Sequence, residues 1–269
     1  MIRVMTEAEV ENAAEALFRA ETTGTQIGLL SRTHPGMTLD DAYAVQAALV
    51  ARKLAWGRRV IGWKIGLTSR AMQDALQIDT PDSGVLLDDM RFETGATVPA
   101  GRFIQPRIEA EIAFVMAEPL AAAETPADVI AATGYLTPAL EILDTRIRRA
   151  DPETGQPRRV TDTIADNAAN AGLVLGRERH DPAALDLRWT GAILRRDGIV
   201  EETGLGAGVL DDPALSVLWL ARRLASYGQR IEAGDIVLSG SFIRPVEAPP
   251  GSVFEADFGA FGRVDIGFA

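Results

Sequence analysis

The stretch PRIEAEIAFVM, residues 106–116, decides how this chain is read. It is β-prone and apolar apart from Arg107 and two glutamates, and an extended strand turns alternate side chains to one face, so Glu109 and Glu111 point the same way. Two carboxylates roughly 7 Å apart on a half-buried strand repel each other and lose hydration, a cost of several kcal/mol that a cation between them offsets. A second stretch, PALEILD, residues 138–144, sets Glu141 in another apolar run and supplies a natural third ligand. Three carboxylates without sulfur or imidazole suit a hard divalent ion, Mg²⁺ or Mn²⁺. The competing reading is a solvated strand edge, with the glutamates paired to arginines such as Arg107 and Arg146, because any half-exposed strand alternates polar and apolar residues.

Composition narrows the chemistry. A chain of 269 residues is long enough for one main domain with an appendage, and its 47% hydrophobic and 24% charged content is that of a globular protein. The lack of cysteine removes disulfides, thiolate nucleophiles and zinc–cysteine sites, and two histidines, His34 and His180, cannot build a histidine-rich metal cluster. His34 lies in Thr33-His34-Pro35-Gly36 and reads as a loop residue. The formal charge of −11 argues against a nucleic-acid partner, which needs a concentrated basic face; pairs such as Arg58-Arg59, Arg148-Arg149 and Arg195-Arg196 are isolated and read as solvated surface. No run approaches the ~20 apolar residues that cross a bilayer. The opening MIRVMTEAEVENAAEAL carries acids where a signal peptide would be apolar, so the expected location is the cytosol, with no membrane partner.

Helical signals come early and late. Thr6-x-x-Glu9 reads as a capping box ahead of Val10, Ala13, Ala14 and Leu17, ending before Gly24. Thr38 opens a second helix through Ala42, Val45 and Leu49 with Gly57 as its stop; Thr125-Pro126 starts a third, closed by Gly134; Asp212-Pro213 starts a fourth that carries Leu215, Leu218, Trp219 and Leu224 inward and halts at Gly228. β-like runs fall at 60–67, 106–116, 138–144, 171–176, 189–195, 235–243 and 252–268. Helices and strands do not alternate, so the pattern predicts an α+β chain, with an N-terminal helical segment over 1–59 and a mixed, rolled β-domain over 60–269, rather than a doubly wound parallel sheet. Gly204-Leu205-Gly206-Ala207-Gly208 lacks the Lys-Ser/Thr of a phosphate loop and reads as an ordinary loop.

Seven ordered segments carry a resemblance: LDDAYAVQ (39–46), GWKIGLTSRAMQ (62–73), PDSGVLLDDM (81–90), PRIEAEIAFV (106–115), PALEILDTRI (138–147), DNAANAG (166–172) and SGSFIRPV (239–246). From about Thr38 onward the chain resembles the 2-oxoalkenoate hydratase and decarboxylase family of the fumarylacetoacetate hydrolase superfamily, most tellingly in DPETGQPRRVTDTIADNAANAG, 151–172. The resemblance implies a β-roll of the fumarylacetoacetate hydrolase C-terminal type and a Mg²⁺ site on Glu109, Glu111 and Glu141, with Mn²⁺ as the substitute. It also implies homo-oligomers, decamers built from dimers among them, and possible association with a pathway decarboxylase. Lys64 matches the family's active-site lysine. Asp82 matches an acid found in hydratases, where decarboxylases acting on 4-oxalocrotonate tend to show Pro-Ile-Tyr-Gly in place of Pro81-Asp82-Ser83-Gly84.

The implied activity is hydration of a small 2-oxo or 2-hydroxy dienoate, with 2-oxohept-4-ene-1,7-dioate as the favoured substrate in meta-cleavage degradation of homoprotocatechuate. The alternatives are 2-hydroxypenta-2,4-dienoate hydration, decarboxylation of 4-oxalocrotonate, and a non-catalytic stabilising subunit that keeps the fold. Lys64, flanked by apolar residues, needs an anionic neighbour to stay charged and would face the substrate carboxylate or enolate; a snorkelling surface lysine is the other reading. Asp82 would move protons on water or at C5, unless it is an ordinary turn aspartate. Arg244 is the candidate clamp for a distal carboxylate, with Arg70 and Arg146 as competitors. Ser69, Thr68 and Ser241 offer hydroxyls to substrate oxygens, ranked below the acids.

Overall fold

Helix caps set the frame at the N-terminus. In the computed structural model, which describes residues 3–70, 73–74, 78, 80–121 and 123–269, the Thr6 and Thr38 hydroxyls accept from the backbone N–H groups of Glu9 and Asp41, whose carboxylates return the bond. These boxes start α1 (Glu7–Thr23) and, after the short α2 (Leu30–Thr33), α3 (Leu39–Ala55). Gly24, at φ +66°, ends α1. The chain then enters β1 (Val60–Gly66), β2 (Asp82–Leu87), β3 (Arg91–Glu93), β4 (Thr97–Val98) and β5 (Arg107–Met116). Next come α4 (Pro126–Ala132), β6 (Thr133–Leu143), α5 (Val160–Ala165), β7 (Asn170–Leu175), β8 (Gly191–Arg196), β9 (Ile199–Leu205) and α6 (Pro213–Ser226). The last elements are β10 (Ile236–Leu238), β11 (Val246–Glu247), β12 (Val253–Asp257) and β13 (Arg263–Phe268). Among the described residues no helix is long and apolar enough to cross a membrane. Ala71 and Met72 of the GWKIGLTSRAMQ segment lie outside the described residues.

One mixed sheet runs β2-β1-β10-β5-β6-β7-β3, with β11 also pairing with β5; a second runs β4-β13-β12-β8-β9. The α+β, rolled mixed β-architecture read from the sequence is what forms. Alternation on β5 explains its position. Ile108, Ala110, Ile112 and Phe114 turn into the core shared with β8, β12, β13 and α6, while Ala113 belongs to the cluster on the opposite face with Leu87, Ala139 and Leu238. Both faces are covered, which is why β5 and β6 read as near-continuous apolar runs. Helices α1 and α3 pack into a separate cluster that also takes in Ile147, Ile164 and Ala165, so the first part of the chain lies against the α5 region.

Sequence expectations change at several points, among them the third helix, which ends at Ala132 with Gly134 already in β6, and Gly204-Leu205, which close β9 rather than form a loop. The strand expected over 235–243 stops at Leu238, because Gly240 takes φ +115° and packs against Thr68; beyond it the Ser239 and Phe242 N–H groups still donate to the Ile112 and Ala110 carbonyls of β5, and regular pairing resumes at β11. Strand β6 starts at Thr133 rather than Pro138, since Pro138, lacking an N–H, still accepts through its carbonyl from Gly176. The run over 252–268 is a hairpin, β12 and β13, turning at residues 258–262.

Candidate metal centre and active site

The register of β5 on β6 builds the centre. Glu109 lies directly opposite Glu141, and Glu111 follows on the same face two residues along. Ligand atoms of the three lie within 4.8 Å of one another. Glu111 and Glu141 are 1% and 0% exposed, and β5 is an interior strand, which excludes the solvated-edge reading. The break after β10 then serves the cluster, because the Gly240 N–H donates to Glu111 Oε2 at 2.8 Å. Asn170 Nδ2 donates to Glu141 Oε1 at 3.0 Å, and Lys64 Nζ lies 3.5 Å from the same oxygen. Glu141 Oε2 is buried with no hydrogen-bond partner. A buried acceptor left open inside an all-oxygen donor set fits a hard divalent cation held by Glu109, Glu111 and Glu141.

Electrostatics agree with that fit. Lys64 is 3% exposed. Burial opposes its charge, but the carboxylates of Glu141, Asp82, Glu109 and Glu111 outweigh burial and hold the ammonium well above its ordinary value. One ammonium cannot neutralise four carboxylates, so the acids shift upward as well. Burial, then Glu141, pushes Glu109 up to about 8. Burial, then Glu141 and Glu109, raises Glu111 far above the usual range, although the Gly240 N–H works the other way. Burial raises Glu141 despite Lys64 beside it. Without a cation, burial and mutual repulsion favour proton uptake by these groups.

Asp82, the first residue of β2, pairs with Gly66 of β1. A Cβ on Gly66 would fall 2.3 Å from Asp82 Oδ1 and 3.1 Å from Lys64 Nζ, so the acid and the ammonium flank the space that this glycine leaves open. Burial raises the Asp82 carboxyl, with Lys64 and Arg158 pulling it back, and Oδ1 has no hydrogen-bond partner. A cavity of about 510 Å³ opens over these groups, lined among others by Lys64, Thr68, Ser69, Asp82, Glu109 and Ser241. Of the three acids Glu109 is the one among the lining residues, with ligand atoms of Glu111 and Glu141 within 4.8 Å of its own. A larger depression of about 1080 Å³ beside Phe242 and Phe258 is open and predominantly apolar and holds no comparable cluster.

The remaining candidates spread out. Arg244 lines the cavity rim but is mostly exposed and pairs with Glu202. Arg146 is buried and committed to Asp166 and to the carbonyls of Asp166 and Asn170. Arg70 is exposed. The Ser241 hydroxyl is engaged with the Ile243 backbone, and Thr68 packs under Gly240. Neither histidine reaches the cavity: His34 lies 3.7 Å from Glu9, and His180 stacks on Phe261. The structure adds groups that carried no role in the sequence reading. Asn170 and the Gly240 N–H support the acids, and Arg158 and Arg107 line the cavity. The polar residues inside the otherwise small, apolar DNAANAG segment were the available signal for Asn170.

No family model matches the chain. The chain is 52% identical over 256 residues to a 2-oxo-hept-4-ene-1,7-dioate hydratase of Escherichia coli, covering 95% of this chain and 96% of that protein. The chain belongs to the 2-oxoalkenoate hydratase and decarboxylase family of the fumarylacetoacetate hydrolase superfamily. Further into the family, it is 41% identical over 261 residues to a 2-keto-4-pentenoate hydratase of Paraburkholderia xenovorans (strain LB400), with 97% and 95% of the two chains covered. A solved 4-oxalocrotonate decarboxylase from Pseudomonas putida G7, complexed with magnesium and adipate, superposes over all of both chains with a TM-score of 0.93 at 33% identity. As a member of this family the protein is a lyase-type enzyme, and its chemistry is the family's, hydration or decarboxylation of a small dienoate-type acid.

Proposed function

We propose that the protein is a Mg²⁺-dependent hydratase that adds water to 2-oxohept-4-ene-1,7-dioate, or its 2-hydroxydienoate tautomer, giving 4-hydroxy-2-oxoheptane-1,7-dioate. The observation that carries this reading is a three-carboxylate cluster whose Glu109 lines the same cavity as an ammonium, Lys64, and a separate buried carboxyl, Asp82. Hydration needs a proton delivered to carbon and another removed from water, whereas decarboxylation of a 2-oxo acid needs only an electron sink and one proton. The identity to the Escherichia coli heptenedioate hydratase supports the substrate choice.

Glu109, Glu111 and Glu141 would hold the ion. Bound there, Mg²⁺ supplies Lewis-acid polarisation to the 2-oxo acid end of the substrate. Lys64, kept charged by its acidic neighbours, donates to the C2 oxygen, where enolate charge develops. Asp82, whose burial raises its hold on a proton, gives that proton to C5 while the enol O–H releases its proton to solvent, leaving an enone conjugated to the 2-oxo group. As a carboxylate it then takes a proton from the water that adds at C4, and the resulting enolate takes one proton back from solvent at C3, which restores both Asp82 and the proton count. The cavity's burial limits competing water around these groups.

The test is product analysis. Purified protein with Mg²⁺ and each of the heptenedioate, 2-hydroxypenta-2,4-dienoate and 4-oxalocrotonate is followed by ultraviolet loss and product identification. The expected product is the hydroxy-oxo diacid from the heptenedioate, formed at the highest kcat/KM. Release of carbon dioxide from 4-oxalocrotonate with no hydration of the heptenedioate would replace this reading by the decarboxylase one.

A further inference from the structure

The cavity wall holds a feature that the acidic cluster, Lys64 and Asp82 leave unexplained. Arg107 and Arg158 both line it. Arg107 Nε and Arg158 Nη1 are buried without a hydrogen-bond partner, and among the described residues neither side chain makes a salt bridge. Both residues are part-buried, and a buried donor with no acceptor is costly because it loses hydration with nothing in return. Burial pushes Arg158 down from its ordinary value, with Arg107, Arg149 and Arg146 adding to the push against Asp166. The other arginines nearby have partners: Arg146 has Asp166, Arg149 has Glu247 and Arg244 has Glu202.

Strand geometry fixes where this pair sits. Arg107, Glu109 and Glu111 are alternate residues of β5 and share its cavity-facing side. Steps of two residues place Arg107 roughly 7 Å along the strand from Glu109. Six carbon–carbon bonds of about 1.5 Å separate the end carboxylates of a seven-carbon diacid by roughly 7–8 Å when extended. Arg158, from the segment leading into α5, reaches the same cavity. We propose that Arg158, with Arg107 beside it, forms the subsite that receives the distal carboxylate of a dicarboxylic substrate and thereby sets the preference for diacids over monoacids. This assignment rests on the proposed function, since it presumes that the 2-oxo acid end lies at the Glu109, Glu111 and Glu141 cluster. Arg158 is thus a specificity residue that touches substrate away from the reacting carbons.

The test uses two saturated ligands that cannot be hydrated, 2-oxoheptanedioate and 2-oxoheptanoate, which share the 2-oxo acid end and differ only in the distal carboxylate. Their affinities for the full chain with Mg²⁺ are measured by titration calorimetry. The native protein is expected to favour the diacid by about 10–100-fold, the size of a charge-assisted hydrogen-bonded contact. Arg158→Ala is expected to bring the two affinities within about threefold of each other while leaving the monoacid's nearly unchanged. Persistence of the diacid preference in Arg158→Ala would overturn the assignment, as would its collapse in Arg244→Ala alone. Loss of both ligands in Arg158→Ala and also in Arg158→Met would overturn it too, because a distal subsite has no hold on a monoacid. Failure of the hydratase reading looks different: no hydration of the heptenedioate by the native protein, with the ligand ratio intact.

Discussion

A carboxylate removed from water must find a proton, a donor or a cation, and Glu141 has room for all three. Its Oε1 takes the Asn170 amide and faces Lys64, while Oε2 is open. Asn170 would therefore orient the proposed ligand Glu141 without being one. Asn170→Ala is expected to weaken Mg²⁺ binding by about 10–100-fold in calorimetry while the fold persists. In the proposed mechanism Lys64 and Asp82 serve the reaction rather than the ion. Lys64→Ala and Asp82→Asn are each expected to lower kcat on the heptenedioate by about 10²–10⁴-fold. Near-normal turnover in either variant would remove that residue from the mechanism, and the contrast with Asn170→Ala separates loss of ion from loss of proton transfer.

At the scale of elements, the site depends on a strand that stops. Pairing of β10 with β5 ends at Leu238 and that of β11 begins at Val246, and the intervening segment swings the Gly240 N–H onto Glu111 and carries Ser241 and Phe242 to the cavity wall. Gly240→Ala would set a Cβ 2.4 Å from Thr68 Oγ1 at φ +115°. Its expected cost is about 1–3 kcal/mol in denaturant unfolding, with weakened Mg²⁺ affinity as the N–H moves. Periodicity could not show this break, because Ile236 through Ile243 reads as one β-prone run and only a tertiary approach demands the glycine's backbone. The second hairpin strand, β9, was missed for another reason. Asp197 and Gly198 both take positive φ in a two-residue turn, a signal present in the sequence. Local chemistry was readable: the caps of α1, α3 and α4, the same-face pair Glu109 and Glu111, and the apolar runs of β5 and β6. Glu141 was placed by its setting alone, and the structure brings it opposite Glu109. Arg158 was out of reach, since nothing in a loop sequence tells which arginine folds back without a counter-ion.

For the molecule as a whole, the acidic cluster makes folding and ion binding one equilibrium. Glu109 titrates from about 4.5 in an unfolded chain to about 8 in the fold, and Glu111 and Glu141 shift the same way, burial being the first cause in each. A folded state with a raised pKa binds protons more readily than the unfolded chain, so these groups contribute fully below about pH 4.5 and lose that contribution as pH rises through about 8. The loss reflects like charges forced together in a dry site. Groups with depressed values, such as Asp151 beside Arg32, lie outside this window, losing stability only toward pH 2. Metal-free protein is therefore expected to show a melting temperature that falls from about pH 5.5 to about pH 8, inside the span between 4.5 and about 8. Mg²⁺ replaces the protons, so its stabilisation should grow over the same range, reaching about 2.7 kcal/mol at a hundredfold excess over Kd. Binding should also release protons, measurable as a dependence of the calorimetric heat on the buffer's ionisation enthalpy. A Glu109→Gln, Glu111→Gln variant, lacking two of the titrating groups, should show a nearly flat melting temperature across that range and little response to Mg²⁺. A metal-free native protein whose stability instead rose with pH would mean that the three carboxylates are ionised in the fold and that Lys64 alone compensates them.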